Sequence, residues 1–382
     1  MARRRWQAWK SLATVALLAT GCADPELPPD GPAPYDWKLP PGFPTPRVPQ
    51  DNPMSEAKVE LGRSLFYDKR LSLNGTQSCG SCHEQAKAFT DGRVHSVGST
   101  GQTHRRNGQG LANVAYATSL TWANPALTTL ESQVLTPLFG TEPVELGFAD
   151  QQDVLLDRLR ADAALSARFA EAFPDEATPV SLATLTRSLS AFQRALISGT
   201  APYDRYLYGG AVEALSPAAK RGMELFLSER LECDHCHSGF NFQDATVHDA
   251  TPEPILPYHN TGLYNEDGQG AYPATDPGLI ELTGRPEDMG RFRAPSLRNV
   301  AVTAPYMHDG SLETLSDVLD HYAAGGLARA SNGGAASPLQ SPFVRGFTLT
   351  PGEKADVIAF LESLTDTEFL NDPRFADPAV VP

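Results

Sequence analysis

Cysteine is scarce in this chain. There are five in 382 residues, and four of them fall in two short motifs, so no disulfide framework is left to form. Positive charge is also short: 31 Lys and Arg stand against 46 Asp and Glu, a formal net charge of −15. Without a basic stripe to neutralise phosphates, nucleic-acid binding is disfavoured. An acidic face suits a basic partner, although net charge alone is a weak guide to partners. Long apolar runs are missing as well. Leu12 to Thr20 is apolar but too short to span a bilayer. No strand-rich block appears, and no internal repeat is sustained beyond the paired motifs described next.

The chain is organised around Cys233-Asp234-His235-Cys236-His237 and its earlier echo, Cys79-Gly80-Ser81-Cys82-His83. Both read C-x-x-C-H, the attachment signature of c-type haem. Two thiols three positions apart can bond to the two vinyl groups of one haem, and the next residue, His83 or His237, then lies under the iron as proximal ligand. The competing readings are chance, a redox C-x-x-C pair and a zinc site. Against them, two complete copies consume four of the five cysteines and lie about 150 residues apart, roughly one domain length. The expectation is two covalently bound c-type haems.

Residues 1–22 read as a targeting leader. Arg3, Arg4, Arg5 and Lys10 form a positive start, the apolar run follows, and Gly21-Cys22 ends it. That ending resembles a bacterial lipoprotein cleavage site, which would leave Cys22 as a lipid anchor; ordinary secretory cleavage nearby is the alternative. Either route exports the protein, and the expected location is the periplasm, membrane-anchored through Cys22. Residues 23–53 are Pro-rich and read as a tether, with Tyr35 and Trp37 as apolar anchors that could also pack it on the body. The expected fold is mainly α: two cytochrome c-like domains, 54–205 and 206–370, each around one haem, followed by a tail at 371–382. Apolar periodicity predicts helices over 55–70, 151–172 and 181–198. Ser216-Pro217 starts a helix running to Glu229, and Thr350-Pro351-Gly352-Glu353 starts another that ends near Leu364. Thr314 caps a helix with Asp317 three residues on. Leu315, Val318, Leu319 and Tyr322 share its buried face, while His321 lies about 100° round with Asp317 and Asp320.

Several stretches match one family. They are Ser72-Leu73-Asn74-Gly75, Arg106-Asn107, Ala219-Lys220-Arg221-Gly222, Phe292-Arg293-Ala294-Pro295-Ser296-Leu297-Arg298-Asn299 and Thr303-Ala304-Pro305-Tyr306-Met307-His308-Asp309-Gly310. From about residue 53 to 370 the chain resembles the bacterial di-haem cytochrome c peroxidase/MauG superfamily. Thr121-Trp122-Ala123-Asn124-Pro125, Pro137-Leu138-Phe139-Gly140 and Glu145-Leu146-Gly147 look most like its MbnH-type, methanobactin-associated members.

The resemblance implies roles residue by residue. The His83 haem is the one that meets peroxide. Typical peroxidases close it with a histidine eight residues before the Asn of the Arg-Asn motif; here that position is Ser99, so an open five-coordinate site is expected unless His95 or His104 is brought in by a shifted loop. Trp122 matches the tryptophan between the haems. Gln133, Pro137 and Glu145 match the residues around bound peroxide, with Glu142 competing for the carboxylate role, which is to carry a proton from the inner to the outer oxygen. Asn107, Thr303 and Pro305 match a calcium site, the last two through carbonyl oxygens, and hard oxygen ligands suit Ca2+. Tyr322, fourteen residues after His308, falls where peroxidases carry the axial Met of the second haem and MauG carries a tyrosine. A phenolate favours higher iron oxidation states, whereas Met raises the potential. MauG's surface tryptophan before its second haem motif is replaced by Leu231.

The leading expectation is therefore an exported di-haem oxidase. It would use hydrogen peroxide to form a high-valent di-haem state and oxidise a periplasmic partner protein at long range. By the MbnH-type resemblance, the partner would be a copper-binding protein and the target a tryptophan converted to a kynurenine. One alternative is a cytochrome c peroxidase fed by a small cytochrome. The other is a non-enzymatic di-haem electron carrier.

Overall fold

A computed structural model describes residues 35–328 and 335–380; the leader and Cys22 lie outside the described residues. The first half contains α1 (Glu56–Phe66), α2 (Leu130–Gln133), α3 (Leu135–Phe139), α4 (Gln152–Arg160), α5 (Ala163–Ala172), α6 (Leu182–Arg194) and α7 (Pro202–Leu207). The second contains α8 (Pro217–Phe226), α9 (Ile280–Thr283), α10 (Leu315–Ala323), α11 (Pro351–Glu362) and α12 (Thr367–Asn371). Among the described residues the only extended pairing is isolated bridges, such as Val97 with Thr103. The fold is mainly α, in two cytochrome c-like halves.

Side-chain caps set the helix starts. Ser55, Ser216 and Thr350 each accept the amide three residues on, and Pro217 and Pro351 occupy the first helical positions. Thr314 and Asp317 form a reciprocal capping box. The stretch 151–172, expected as one helix, is two. Asp162 stops α4 and starts α5 by accepting the amides of Ala164 and Leu165, a local bond that competes with continuing the helix. The helix begun at Ser216 ends at Phe226, short of Glu229.

The two halves share a construction that is faint in the sequence. Helix α1 crosses α6 at Gly62, where an added Cβ would lie 2.0 Å from the Ser188 carbonyl oxygen. Helix α8 crosses α11 at Gly222, where a Cβ would lie 1.9 Å from the Asp356 carbonyl oxygen. In both helices the sequence from the glycine reads Gly-x-x-Leu-Phe, and the last residue, Phe66 or Phe226, borders the cavity next to a C-x-x-C-H motif. Backbones brought this close let the apolar faces interlock. Leu65, Phe66, Leu189 and Phe192 join the first core; Phe226, Val357, Phe360 and Leu361 join the second.

The first and last described segments are fastened to this body. Within the Pro-rich stretch, Tyr35 packs on the first core, the Pro44 carbonyl accepts the Tyr116 hydroxyl at 2.7 Å, and Asn52 is fully buried. So residues 35–53 follow the packing that Tyr35 and Trp37 offered. At the other end Phe369 and Phe375 enter the first core, and the Tyr67 hydroxyl donates to the Phe375 carbonyl. Among the described residues no helix is long and apolar enough to cross a membrane.

Candidate functional site: two haem cavities and a tryptophan between them

Each C-x-x-C-H motif opens with a short 3-10 turn, Cys79–Ser81 and Cys233–His235. That turn puts both thiols and the following histidine on the wall of one cavity. The first cavity holds about 1330 Å3 of space not filled by protein atoms and the second about 1300 Å3, in each case counting space open to solvent. The two histidines are set alike. His83 Nδ1–H donates to the Phe89 carbonyl at 2.6 Å, and His237 Nδ1–H donates to the Phe242 carbonyl at 3.1 Å. A carbonyl only accepts, so the tautomer is fixed and each Nε2 keeps its lone pair for a metal. Both acceptors sit on phenylalanines at positive φ, 65° and 48°. That conformation is uncommon for a bulky residue and turns the carbonyl back onto the ring. No spacing rule in the sequence points to Phe89 or Phe242.

The surroundings of the thiols favour neither a redox pair nor a zinc site. Burial pushes Cys79 up to about 12, Cys82 to about 11 and Cys233 to about 12, the reverse of the depressed values of reactive thiols. Among the described residues the one cluster of potential metal ligands is Cys236, Asp244 and His259, which takes a single thiol from its motif and omits His237. Two thiols and a pre-oriented imidazole on the wall of one cavity fit covalent haem. A further feature, unflagged in the sequence beyond its motif, supports the fit. Arg293 is buried between the cavities, and its guanidinium hydrogen-bonds neutral oxygens only: Gln109 Oε1 and the carbonyls of Thr121 and Ala294. Burial lowers it to about 10, and the carboxylates of a haem would supply the missing negative charge.

In the first cavity Gln133, Pro137 and Glu145 lie together on the wall with Cys79, Cys82 and His83. Burial raises Glu145 to about 7. Glu142 is exposed and lies outside the cavity lining. Ser99 is not on the wall either: its amide donates to the Glu145 carbonyl at 2.7 Å and its carbonyl accepts Asn74 Nδ2. Of the two nearby histidines, His104 lines the cavity, whereas His95 does not.

The second cavity is walled by His237 and by one face of α10. Leu315, Val318, Leu319 and Tyr322 all border it. The Tyr322 phenol is buried, which raises its pKa, and its hydroxyl has no hydrogen-bonding side chain or carbonyl among the described residues. His321 departs from expectation. It does not lie out with Asp317 and Asp320 but is fully buried, its Nδ1 accepting the Leu327 amide at 3.1 Å. The Leu327 amide reaches back to that side of the helix, a contact that helical periodicity alone could not show. Leu231 is buried on the cavity wall.

Trp122 borders both cavities, and also a third of about 890 Å3 between them. Its indole N–H donates to the Asn107 carbonyl at 2.8 Å. Asn107, Thr303 and Pro305 line that third cavity together. The halves are clamped beside it by Arg106, whose guanidinium bonds both carboxylate oxygens of the buried Asp276.

A family model described as di-haem cytochrome c peroxidase matches residues 56–211. The chain is 35% identical to the cytochrome-c peroxidase IdrP1 of Denitromonas iodatirespirans, over 95% of this chain and 93% of that protein. It is 34% identical to the methylamine utilization protein MauG of Methylorubrum extorquens, over 83% of this chain and 80% of that protein. The chain belongs to the di-haem cytochrome c peroxidase/MauG family. Among solved structures, a MauG-like protein associated with microbial copper homeostasis superposes with a TM-score of 0.87. It is 52% identical over 90% of this chain and 99% of that one. As a member of the family, the chain is a peroxide-using oxidoreductase with two c-type haems.

Proposed function

We propose that this di-haem enzyme is a MauG-like oxidase: it takes two oxidising equivalents from hydrogen peroxide at the His83 cavity and uses them on a partner protein. The observation that carries this reading is Tyr322, which shares the second cavity with His237 and whose hydroxyl is unengaged by the described residues. A phenol in an apolar wall resists ionisation unless a cation sits against it, and ferric haem is such a cation. The anionic oxygen then favours holding oxidising equivalents over the high potential that a Met ligand would give. Haem supplies the redox chemistry with peroxide; the chain's residues orient, shield and conduct. Glu145 holds and moves the proton, Gln133 and Pro137 shape the space beside it, and Trp122 spans the gap between the cavities. Asn107, Thr303 and Pro305 offer oxygen donors for Ca2+ there, which would pin Trp122 through the Asn107 carbonyl.

Likeness to the copper-homeostasis protein extends the reading to a partner: a periplasmic copper-binding protein whose tryptophan is oxidised to a kynurenine. We read the positive leader as an export signal that would carry this chain to the periplasm, held at the membrane through Cys22. A second reading, a peroxidase drawing electrons from a small cytochrome, is favoured by the likeness to IdrP1. One experiment separates them. Electron paramagnetic resonance of the resting diferric protein should show one high-spin and one low-spin haem. Peroxide should then react without prior reduction, and the copper-binding partner should gain the mass change of kynurenine formation. Two low-spin haems, or rapid turnover with a reduced small cytochrome and an unmodified partner, would favour the peroxidase.

A further inference from the structure

The segment 96–104 folds as a tight loop, closed by the Val97–Thr103 bridge and by the His104 amide donating to the Ser96 carbonyl at 2.9 Å. It is fastened to the segment carrying Glu145 at three points. The Ser99 amide donates to the Glu145 carbonyl, and Gln102 Oε1 accepts the Val144 amide at 2.8 Å. Gly98 lies flat against Val144, where an added Cβ would be 2.0 Å from the carbonyl oxygen. This fastening holds the His104 and Glu145 side chains together on the wall of the first cavity, Nε2 to Oε1 at 3.9 Å. The gap is longer than a direct hydrogen bond, so the two groups face each other without being bonded.

We propose that His104 and Glu145 act as one proton-handling pair at the peroxide site, making His104 a second acid–base residue of the reaction rather than a solvated loop histidine. The proposal rests on reading Glu145 as the carboxylate beside peroxide. The balance is simple. The inner oxygen of hydrogen peroxide loses its proton to the pair. The pair returns a proton to the outer oxygen. The O–O bond breaks and its electron pair leaves with the outer oxygen as water; the inner oxygen stays behind two electrons short, and the haem would supply those two electrons. A base that takes this proton must also release it, so two acceptors of similar proton affinity serve better than one strong one. Burial raises Glu145 and lowers His104, favouring the neutral form of each. The other charged or titratable groups acting on His104 are Asp91, His83 and His95, and Arg106 shares the cavity wall.

The test uses the full di-haem protein with His104→Gln, His104→Ala, Glu145→Gln and the double variant His104→Gln/Glu145→Gln. Three readouts apply: the resting paramagnetic resonance spectrum, the rate of reaction with peroxide against pH, and the association rate of hydrogen cyanide, which must shed a proton to bind. The proposal expects His104→Gln to slow both reactions about 10- to 100-fold, below the ~10²–10⁴ that a sole acid–base group contributes. It expects an unchanged resting spectrum and a double variant no slower than Glu145→Gln, because members of one unit are not additive. If both His104 variants react within twofold of the parent while Glu145→Gln is slow, the pair is refuted and the carboxylate role stands. If Glu145→Gln is also fast, both fall. If His104→Ala turns a low-spin haem high-spin, His104 is an iron ligand and the proposal is overturned.

Discussion

Glu145 gives the sharpest pH test. An ordinary glutamate titrates near 4.5, whereas burial in the first cavity lifts this one to about 7. Only the ionised form can take the proton from peroxide. With a midpoint of 7, about 1% of Glu145 is ionised at pH 5 and about 90% at pH 8, so the rate should rise roughly 90-fold across that range. With the ordinary midpoint, about three-quarters would already be ionised at pH 5, and the rise would be under about 1.5-fold. The sign follows from the direction of the shift: a raised carboxyl withholds its base form at low pH, so activity is lost as pH falls through 7. The assay is rapid mixing of the resting ferric protein with peroxide from pH 5 to 8, following the haem absorbance. Glu145→Gln should flatten the rise and lower the pH 8 rate by about 10²–10⁴-fold. Glu142→Gln, outside the cavity, should leave the profile alone. A midpoint below about 5.5, or a Glu145→Gln profile that still climbs with pH, would refute the assignment of this carboxylate.

Three further outcomes are expected. Intact mass should show two covalent haems per chain; Cys79→Ala/Cys82→Ala should remove one and leave the second, because the cavities are separately walled. Tyr322→Phe should change the low-spin haem spectrum and shorten the life of the peroxide-oxidised protein, while His321→Gln, buried away from the cavity, should leave the low-spin spectrum intact; the reverse pattern would exchange the two roles. Gly222→Ala should destabilise the second half by about 3 kcal/mol or more in denaturant unfolding, since its methyl would press 1.9 Å from the Asp356 carbonyl and force α8 and α11 apart. A loss under about 1 kcal/mol would show that the helix crossing is looser than the structure has it.

Much of this protein was legible in the chain because the chemistry is local. Two thiols and a histidine within five residues specify a haem site wherever they fold, and caps at Ser216, Thr314 and Thr350 act within one helical turn. Period along α10 was enough to put Leu315, Val318, Leu319 and Tyr322 on one face. What the chain alone left open are the contacts between stretches far apart in sequence. Periodicity placed His321 on the acidic side of α10, but it is buried there with the Leu327 amide on its ring. Spacing left Glu142 and Glu145 as rivals; the cavity wall takes one and solvent the other. The carbonyls of Phe89 and Phe242 orient the two imidazoles only because the backbone at those residues turns left-handed. Gly62 and Gly222 matter because another helix presses on each, a pressure that no local pattern records. Arg293 lacks a carboxylate, and His104 faces Glu145, through the meeting of segments from different parts of the chain. Local propensity writes the elements and the covalent cofactor signature. The proposed proton pathway, the proposed ligand face and the placing of Trp122 between cavities depend on the packing, since each needs groups brought to within a few ångströms across turns and helix crossings.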